Sequence, residues 1–213
     1  PVEEAPPGYF SGDLGWGGSD GFNGGGEVVF INLFGTGRRL ELRGNSTDWG
    51  GMDAGGLYRE PWILGSPVSV ELQASQEVPD SGSVIRDWSG SIILELGSFQ
   101  ISGGGGVWSS YPVDSPDEGY RYGSAGLSWD LTRRVRQGSE GFSGSVSTSA
   151  GDASGPDSTW FLTRAEFSGD YNWYSGVLGL GSRFQAGGII SGEKLSTMTT
   201  RLGGYGTLRG YPE

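Results

Sequence analysis

Apolar and polar residues alternate with a period of two along most of this chain, in stripes of ten residues or more, and few folds besides an antiparallel β-sheet accept that pattern. In residues 68–75, Val68, Val70, Leu72 and Ala74 share one face, while Ser69, Glu71, Gln73 and Ser75 share the other. Residues 88–96 repeat the alternation with a single lapse at Ile93. Phe99, Ile101, Gly103, Gly105 and Val107 carry one face through a run of four glycines as far as Tyr111, a smooth stripe of small residues. Phe142, Gly144, Val146, Thr148 and Ala150 oppose Ser143, Ser145, Ser147 and Ser149; Leu178, Leu180, Phe184 and Ala186 oppose Arg183 and Gln185. Helical periodicity is nearly absent, and the 43 glycines, about three times the usual usage, are too dense for long helices.

The pattern predicts about eleven strands, over 8–17, 22–34, 38–47, 52–63, 66–78, 83–96, 98–111, 119–132, 140–151, 158–172 and 175–190. Turn signals separate them, among them Gly35-Thr36-Gly37, Gly65-Ser66-Pro67, Pro79-Asp80-Ser81-Gly82 and the acidic, glycine-bearing segments 114–119 and 151–157. The connections are short, so neighbours should pair as antiparallel hairpins. No internal repeat is evident, which disfavours a propeller or solenoid.

Composition removes most chemistry. Histidine is absent, and with it the commonest metal ligand, the usual general base and any Ser–His pair. Cysteine is absent too, so there is no disulfide framework and no thiolate-bound metal. Asp117 and Glu118 fall in a turn rather than flanking a cleft as a glycosidase pair does. Segment 151–157 lacks the ligand spacing of an EF-hand loop. Gly103 to Gly106 are followed by neither Lys-Ser/Thr nor a helix, as a phosphate loop requires. No enzyme, cofactor or metal is predicted. The net charge of −11 repels nucleic-acid phosphates and anionic lipid head groups. No run of eighteen apolar residues exists to form a transmembrane helix. A mean hydropathy of −0.33 still permits a membrane barrel, because only alternate residues of a spanning strand face lipid. Residues 1–7 lack the basic start and apolar stretch of a signal peptide and read as a linker.

The polar stripe separates a membrane barrel from a water-soluble sandwich. A sandwich buries its apolar face in a dry core, whereas a barrel with a wet lumen turns apolar residues to lipid and polar ones inward. Here the polar stripes are rich in Ser and Gly with mixed charges such as Arg39, Glu41 and Arg43, or Arg164 and Glu166. Strands of ten or more residues suit a tilted crossing. Trp62, Trp108, Tyr111, Tyr120, Tyr122, Trp173 and Tyr174 lie near predicted strand ends, as an interfacial girdle requires. The barrel is the favoured reading, and a soluble extracellular Gly-rich β-sandwich adhesion module is the alternative.

Three ordered segments sharpen this. Leu202-Gly203-Gly204-Tyr205-Gly206-Thr207-Leu208-Arg209-Gly210-Tyr211 resembles the Arg-Gly-aromatic loop signature of the BamA-type superfamily. Tyr58-Arg59-Glu60-Pro61-Trp62-Ile63-Leu64-Gly65 is similar to its aromatic-x-Glu-Pro-aromatic strand end. Asn32-Leu33-Phe34-Gly35-Thr36-Gly37 resembles its first periplasmic turn. The superfamily comprises outer-membrane assembly factors, TamA-like relatives and two-partner secretion transporters, and the resemblance spans nearly the whole chain. It implies an antiparallel sixteen-stranded transmembrane β-barrel, usually preceded by POTRA domains, in the outer membrane of a Gram-negative bacterium.

The division implied is a linker at 1–7, barrel strands over 8–190, and a long loop over 191–213 that folds back into the lumen. Arg209 would point inward and pair with carboxylates of later strands, Gly206 and Gly210 would turn the backbone, and Tyr211 would pack the loop tip. About five strands and the POTRA region remain unaccounted for, and an eleven-stranded sheet cannot expose both edges to lipid. Either further strands of the same polypeptide or another chain must complete the wall; the same polypeptide is favoured, of which this sequence would be a fragment. The function implied is non-enzymatic insertion of unfolded outer-membrane client proteins, alongside possible accessory lipoproteins; a TamA-like or two-partner secretion pore, or a passive porin, would share the barrel. In the assembly reading the first strand forms a weak seam with the last. Phe10, Leu14 and Trp16 line one face of that gate strand, and its glycines, Gly12 among them, weaken pairing.

Overall fold

The computed structural model describes residues 8–17, 21–46, 51–79, 83–135, 138–175, 178–193 and 195. Among these residues the chain is all-β, with twelve antiparallel strands in one sheet and no α-helix. The strands are β1 (Gly8–Gly17), β2 (Gly21–Leu33), β3 (Arg38–Ser46), β4 (Met52–Glu60), β5 (Val68–Val78), β6 (Val84–Leu96), β7 (Phe99–Tyr111), β8 (Glu118–Asp130), β9 (Arg133–Val135), β10 (Gly138–Ser154), β11 (Thr159–Ser175) and β12 (Leu178–Ser191). Eleven of them pair in simple chain order, and the short β9 pairs only with the start of β10. The connections alternate between two ends of the sheet, here called proximal (where β1 begins) and distal (where β12 ends).

The tight turns form where the sequence supplies residues that tolerate a left-handed backbone. Gly97 (φ 64°) lets Leu96 and Phe99 face each other across a two-residue hairpin. Between β2 and β3, Asn32 Oδ1 accepts the Gly37 N–H at 2.7 Å, and Thr36 Oγ1 donates to the Leu33 carbonyl at 2.7 Å. These local bonds replace the ladder bonds lost at the turn.

Several predicted boundaries shift: the strands predicted over 140–151, 158–172 and 175–190 run over Gly138–Ser154, Thr159–Ser175 and Leu178–Ser191, the first taking up part of the turn predicted at 151–157. Two further shifts have a visible local reason. The strand predicted over 52–63 stops at Glu60: Pro61 has no N–H to donate, and Trp62 takes a left-handed backbone (φ 54°) that leads into a kinked 3-10 turn over Ile63–Gly65. The strand predicted over 119–132 ends at Asp130, whose carboxylate accepts the Thr132 N–H at 3.0 Å and the Thr132 hydroxyl at 2.6 Å. That side-chain turn interrupts the ladder opposite Gly141 (φ 133°), and pairing resumes as β9.

Among the described residues β1 pairs only with β2 and β12 only with β11, so the sheet is an open wall and does not close into a barrel. Among the described residues no second sheet packs against it. Buried side chains are scarce among the described residues of the sheet, and Val29, Ser69, Ile93, Ser110, Tyr120, Ala153 and Leu162 share the face that carries the serines and charges, whereas the buried Gly169 lies on the other face beneath Phe184. Ile93, the one lapse in the alternation, lies opposite the buried Ser69 on that face.

Candidate functional site

Register fixes what each face presents. Phe10 lies opposite Val28, Val28 opposite Leu42, Leu72 opposite Tyr58, and Val70 opposite Ile92. Ile101 then meets Leu127, Leu127 meets Val146, and Val146 meets Phe167. The apolar stripes thus join into one outer face from β1 to β12, and it is uncovered: Phe10 is 74% and Trp88 61% exposed. Trp129, Phe142, Phe167 and Phe184 extend across it with ring centroids 4.8–6.3 Å apart.

This apolar band has polar limits. At its proximal margin Arg38 Nε donates to Glu60 Oε2 at 2.7 Å, and the Tyr58 hydroxyl donates to the same oxygen at 2.5 Å. At its distal margin stand Gln76 and Arg86, joined by a 3.0 Å hydrogen bond, with Tyr111 beside them. On β6 the band runs from Trp88 to Leu96, which suits the roughly nine to eleven residues of a tilted crossing.

The inner face is polar and carries several ion pairs. Arg39 pairs with Glu41, Arg59 reaches across β5 to Glu95, Arg164 pairs with Glu166, and Arg183 Nε meets Asp170 at 2.6 Å. A trough of about 550 Å³ crosses β5 to β11, lined by Glu71, Asp87, Ser91, Tyr122, Ser149 and Arg164 among others. Tyr122 spans it, donating its hydroxyl to Asp87 Oδ1 at 3.3 Å over the intervening β7. Gly106 makes the crossing possible, since a Cβ there would lie 2.7 Å from the Tyr122 oxygen. The glycine run is therefore more than the smooth stripe its pattern suggests.

At the distal mouth the inner face becomes apolar. Tyr120, Ala153 and Leu162 are fully buried, with Trp108, Trp160 and Ile189 against them, and Leu195, beyond β12, completes the cluster. The chain turns in at Gly192 (φ 97°), where any Cβ would meet the Phe161 carbonyl at 2.4 Å, and the Trp160 indole N–H donates to the Glu193 carbonyl at 2.8 Å. This corrects the expected girdle. Trp108, Tyr120, Tyr122 and Tyr174 face inward, Tyr111 and Trp173 face outward, and Trp62 sits on a proximal turn. Alternation assigns residues to a common face, but proximity to a strand end does not say which face it is.

The strand-end motif is brought together at the proximal margin. Tyr58 and Glu60 share a hydrogen bond on the outer face, and Pro61 packs beside Gly37, 3.6 Å from the position of a Cβ there. Trp62 (φ 54°) and Leu64 (φ 54°) hold large side chains out on a left-handed backbone before Gly65 (φ 76°) ends the turn; Leu64 is 101% exposed. Bulky residues are strained there. Arg38, the cation that neutralises Glu60, escaped the sequence reading because it sits on another strand. On β1, Phe10 and Leu14 project from the outer face, and the Phe10 ring lies over Gly12 and Gly26, its atoms 3.2 and 3.7 Å from where their Cβ atoms would be. The Trp16 side chain lies outside the described residues, as do Gly206, Arg209, Gly210 and Tyr211.

Chemically, the described residues offer one apolar face, one polar face with ion pairs and two strand edges that no described strand covers. No group of three or more acidic residues among them is placed to hold a metal ion. No protein-family model matches the sequence, and no curated protein matches it.

Proposed function

We propose that this chain is part of the wall of an outer-membrane β-barrel of a Gram-negative bacterium, which inserts or translocates other proteins without catalysing a covalent reaction. The observation that carries the reading is the amphipathic sheet: a continuous uncovered apolar face backs onto a polar, ion-paired one. In water such a face is a large exposed patch that calls for a partner, and hydrocarbon meets that need without a second protein layer. Hydrocarbon, however, leaves no donor or acceptor for a bare strand edge. The edges of β1 and β12 must therefore be paired in the membrane, by further strands of the same polypeptide, which with upstream POTRA domains would complete a BamA-like protein.

In that setting β1 serves as the gate. Its opening would present an edge to which an unfolded outer-membrane client adds by strand augmentation, with the bilayer and accessory lipoproteins as the other partners; nucleic acid has no place in the reading. Two measurements test it. Single-tryptophan variants retaining Trp88 or Trp108 should differ in bilayers containing brominated lipid, with Trp88 quenched and Trp108 spared; equal quenching would remove the membrane assignment. A disulfide locking β1 to its seam partner should stop client insertion, and undiminished insertion would refute the gate. The inner trough favours one second reading, a TamA-like or two-partner secretion pore, which locking the seam would leave conducting.

A further inference from the structure

The two margins of the apolar band treat their arginines differently. At the proximal margin Arg38 is neutralised by Glu60. At the distal margin Arg86 is held by uncharged groups: its Nε donates to Gln76 Oε1 at 3.0 Å, and its guanidinium carbon stands 5.5 Å from the centroid of the Tyr111 ring. Among the described residues no carboxylate lies within ion-pair distance of it. Arg86 is exposed, on the outer face, one step beyond Trp88 on the same strand, so it sits where the apolar band ends. Two strands away Arg121 also faces outward, opposite Asp152 across the β8–β10 pair.

We propose that Arg86, oriented by Gln76 and Tyr111, is a binding site for a phosphate of an anionic lipid head group, with Arg121 adding positive charge beside it; this rests on the membrane reading above. A guanidinium fixed at Nε and stacked on a ring has its fork preorganised, so less freedom is lost when a phosphate bridges the remaining N–H groups. Trp88 and Tyr111 suit the same depth, since amphipathic rings settle at head-group level. The chain's net charge of −11 does little against anionic lipid at this point, because charges farther away than a Debye length of about 8 Å are screened at physiological salt and the local cations dominate. The distal margin thereby gains a preference that the neutralised proximal margin lacks.

The test reconstitutes the protein with vesicles of phosphatidylcholine alone or of phosphatidylcholine with phosphatidylglycerol and measures co-flotation across a salt series. The wild type should favour the phosphatidylglycerol vesicles. Arg86→Gln should lower that preference by about fivefold, the order carried by one arginine near a charged surface. Arg86→Lys should keep part of it, as a point charge without the fork. An Arg86→Gln protein that floats normally and retains the full preference overturns the site while leaving the membrane reading intact. A wild type that floats with neither vesicle overturns both.

Discussion

Tyr9 and Tyr120 both project from the inner face, yet they inhabit different kinds of structure. Tyr120 is 1% exposed, stacked on Tyr122 with centroids 5.0 Å apart, and its hydroxyl donates to the Leu162 carbonyl at 3.2 Å. Tyr9, on the edge strand, is 52% exposed. Around Tyr120 the returning chain, Trp160 and Leu195 build a small closed core, while around Tyr9 the same face holds Ser11, Asp13, Glu27 and Arg43 open to solvent. The difference teaches that one continuous sheet is stabilised unevenly: β8 to β12 by a packed cluster at the distal end, β1 to β3 by their ladders and the single buried Val29 opposite Tyr9. A gate strand belongs at the second kind of place, because elements that move come from the low-stability end of a structure.

The largest test of this contrast swaps each tyrosine for alanine. Tyr120→Ala removes a fully buried ring and a buried hydrogen bond, and should lower stability by about 3–5 kcal/mol. Tyr9→Ala should change it by less than about 1 kcal/mol. Urea titration of the folded protein measures both. Comparable losses would mean that the β1 side is as tightly built as the mouth, and the gradient would be lost.

Much of this was legible in the sequence, and what was not shares one cause. Period two alone assigned Phe10, Leu72, Ile92 and Val146 to one stripe of their strands, because the pleat turns neighbours to opposite faces whatever surrounds them. Chain-order pairing followed from short connections. Hidden were the events that join distant strands: Arg38 meeting Glu60, Tyr122 reaching Asp87 over Gly106, and Leu195 filling the mouth. None leaves a local period. The inward turn of Trp108, Tyr120 and Trp160 was hidden for the same reason, since alternation says which residues travel together but not which side is later covered. Ile93 was the exception that showed, as a break in the stripe.

A smaller effect isolates the latch at the mouth. Trp160→Phe keeps most of the ring and deletes the N–H that holds the Glu193 carbonyl at 2.8 Å, so the loss should be about 1 kcal/mol. Proteolysis after β12 should accelerate while cleavage near β1 stays unchanged. If both sites became equally sensitive, the latch would be holding the whole sheet rather than the mouth alone.

The smallest effect runs the other way, because the soft edge can be stiffened where there is room. Gly26 lies opposite Gly12 on the outer face, under the Phe10 ring. A Cβ there would meet that ring and the Ser11 carbonyl at 3.7 Å, an ordinary contact distance that demands no movement. Alanine also narrows the unfolded ensemble, so Gly26→Ala should stabilise by roughly 0.5 kcal/mol. By contrast, Gly104→Ala would drive its Cβ to 2.2 Å from the Gly90 carbonyl, where the ladder has to distort, so it should destabilise. Hydrogen exchange reads the consequence for function. Slower exchange at β1 and β2 in Gly26→Ala, with β10 and β11 unchanged, would show that glycine pairing sets the looseness of this edge. If those amides exchanged as before, the looseness of β1 would have to come from its position at the edge of the sheet rather than from its own residues.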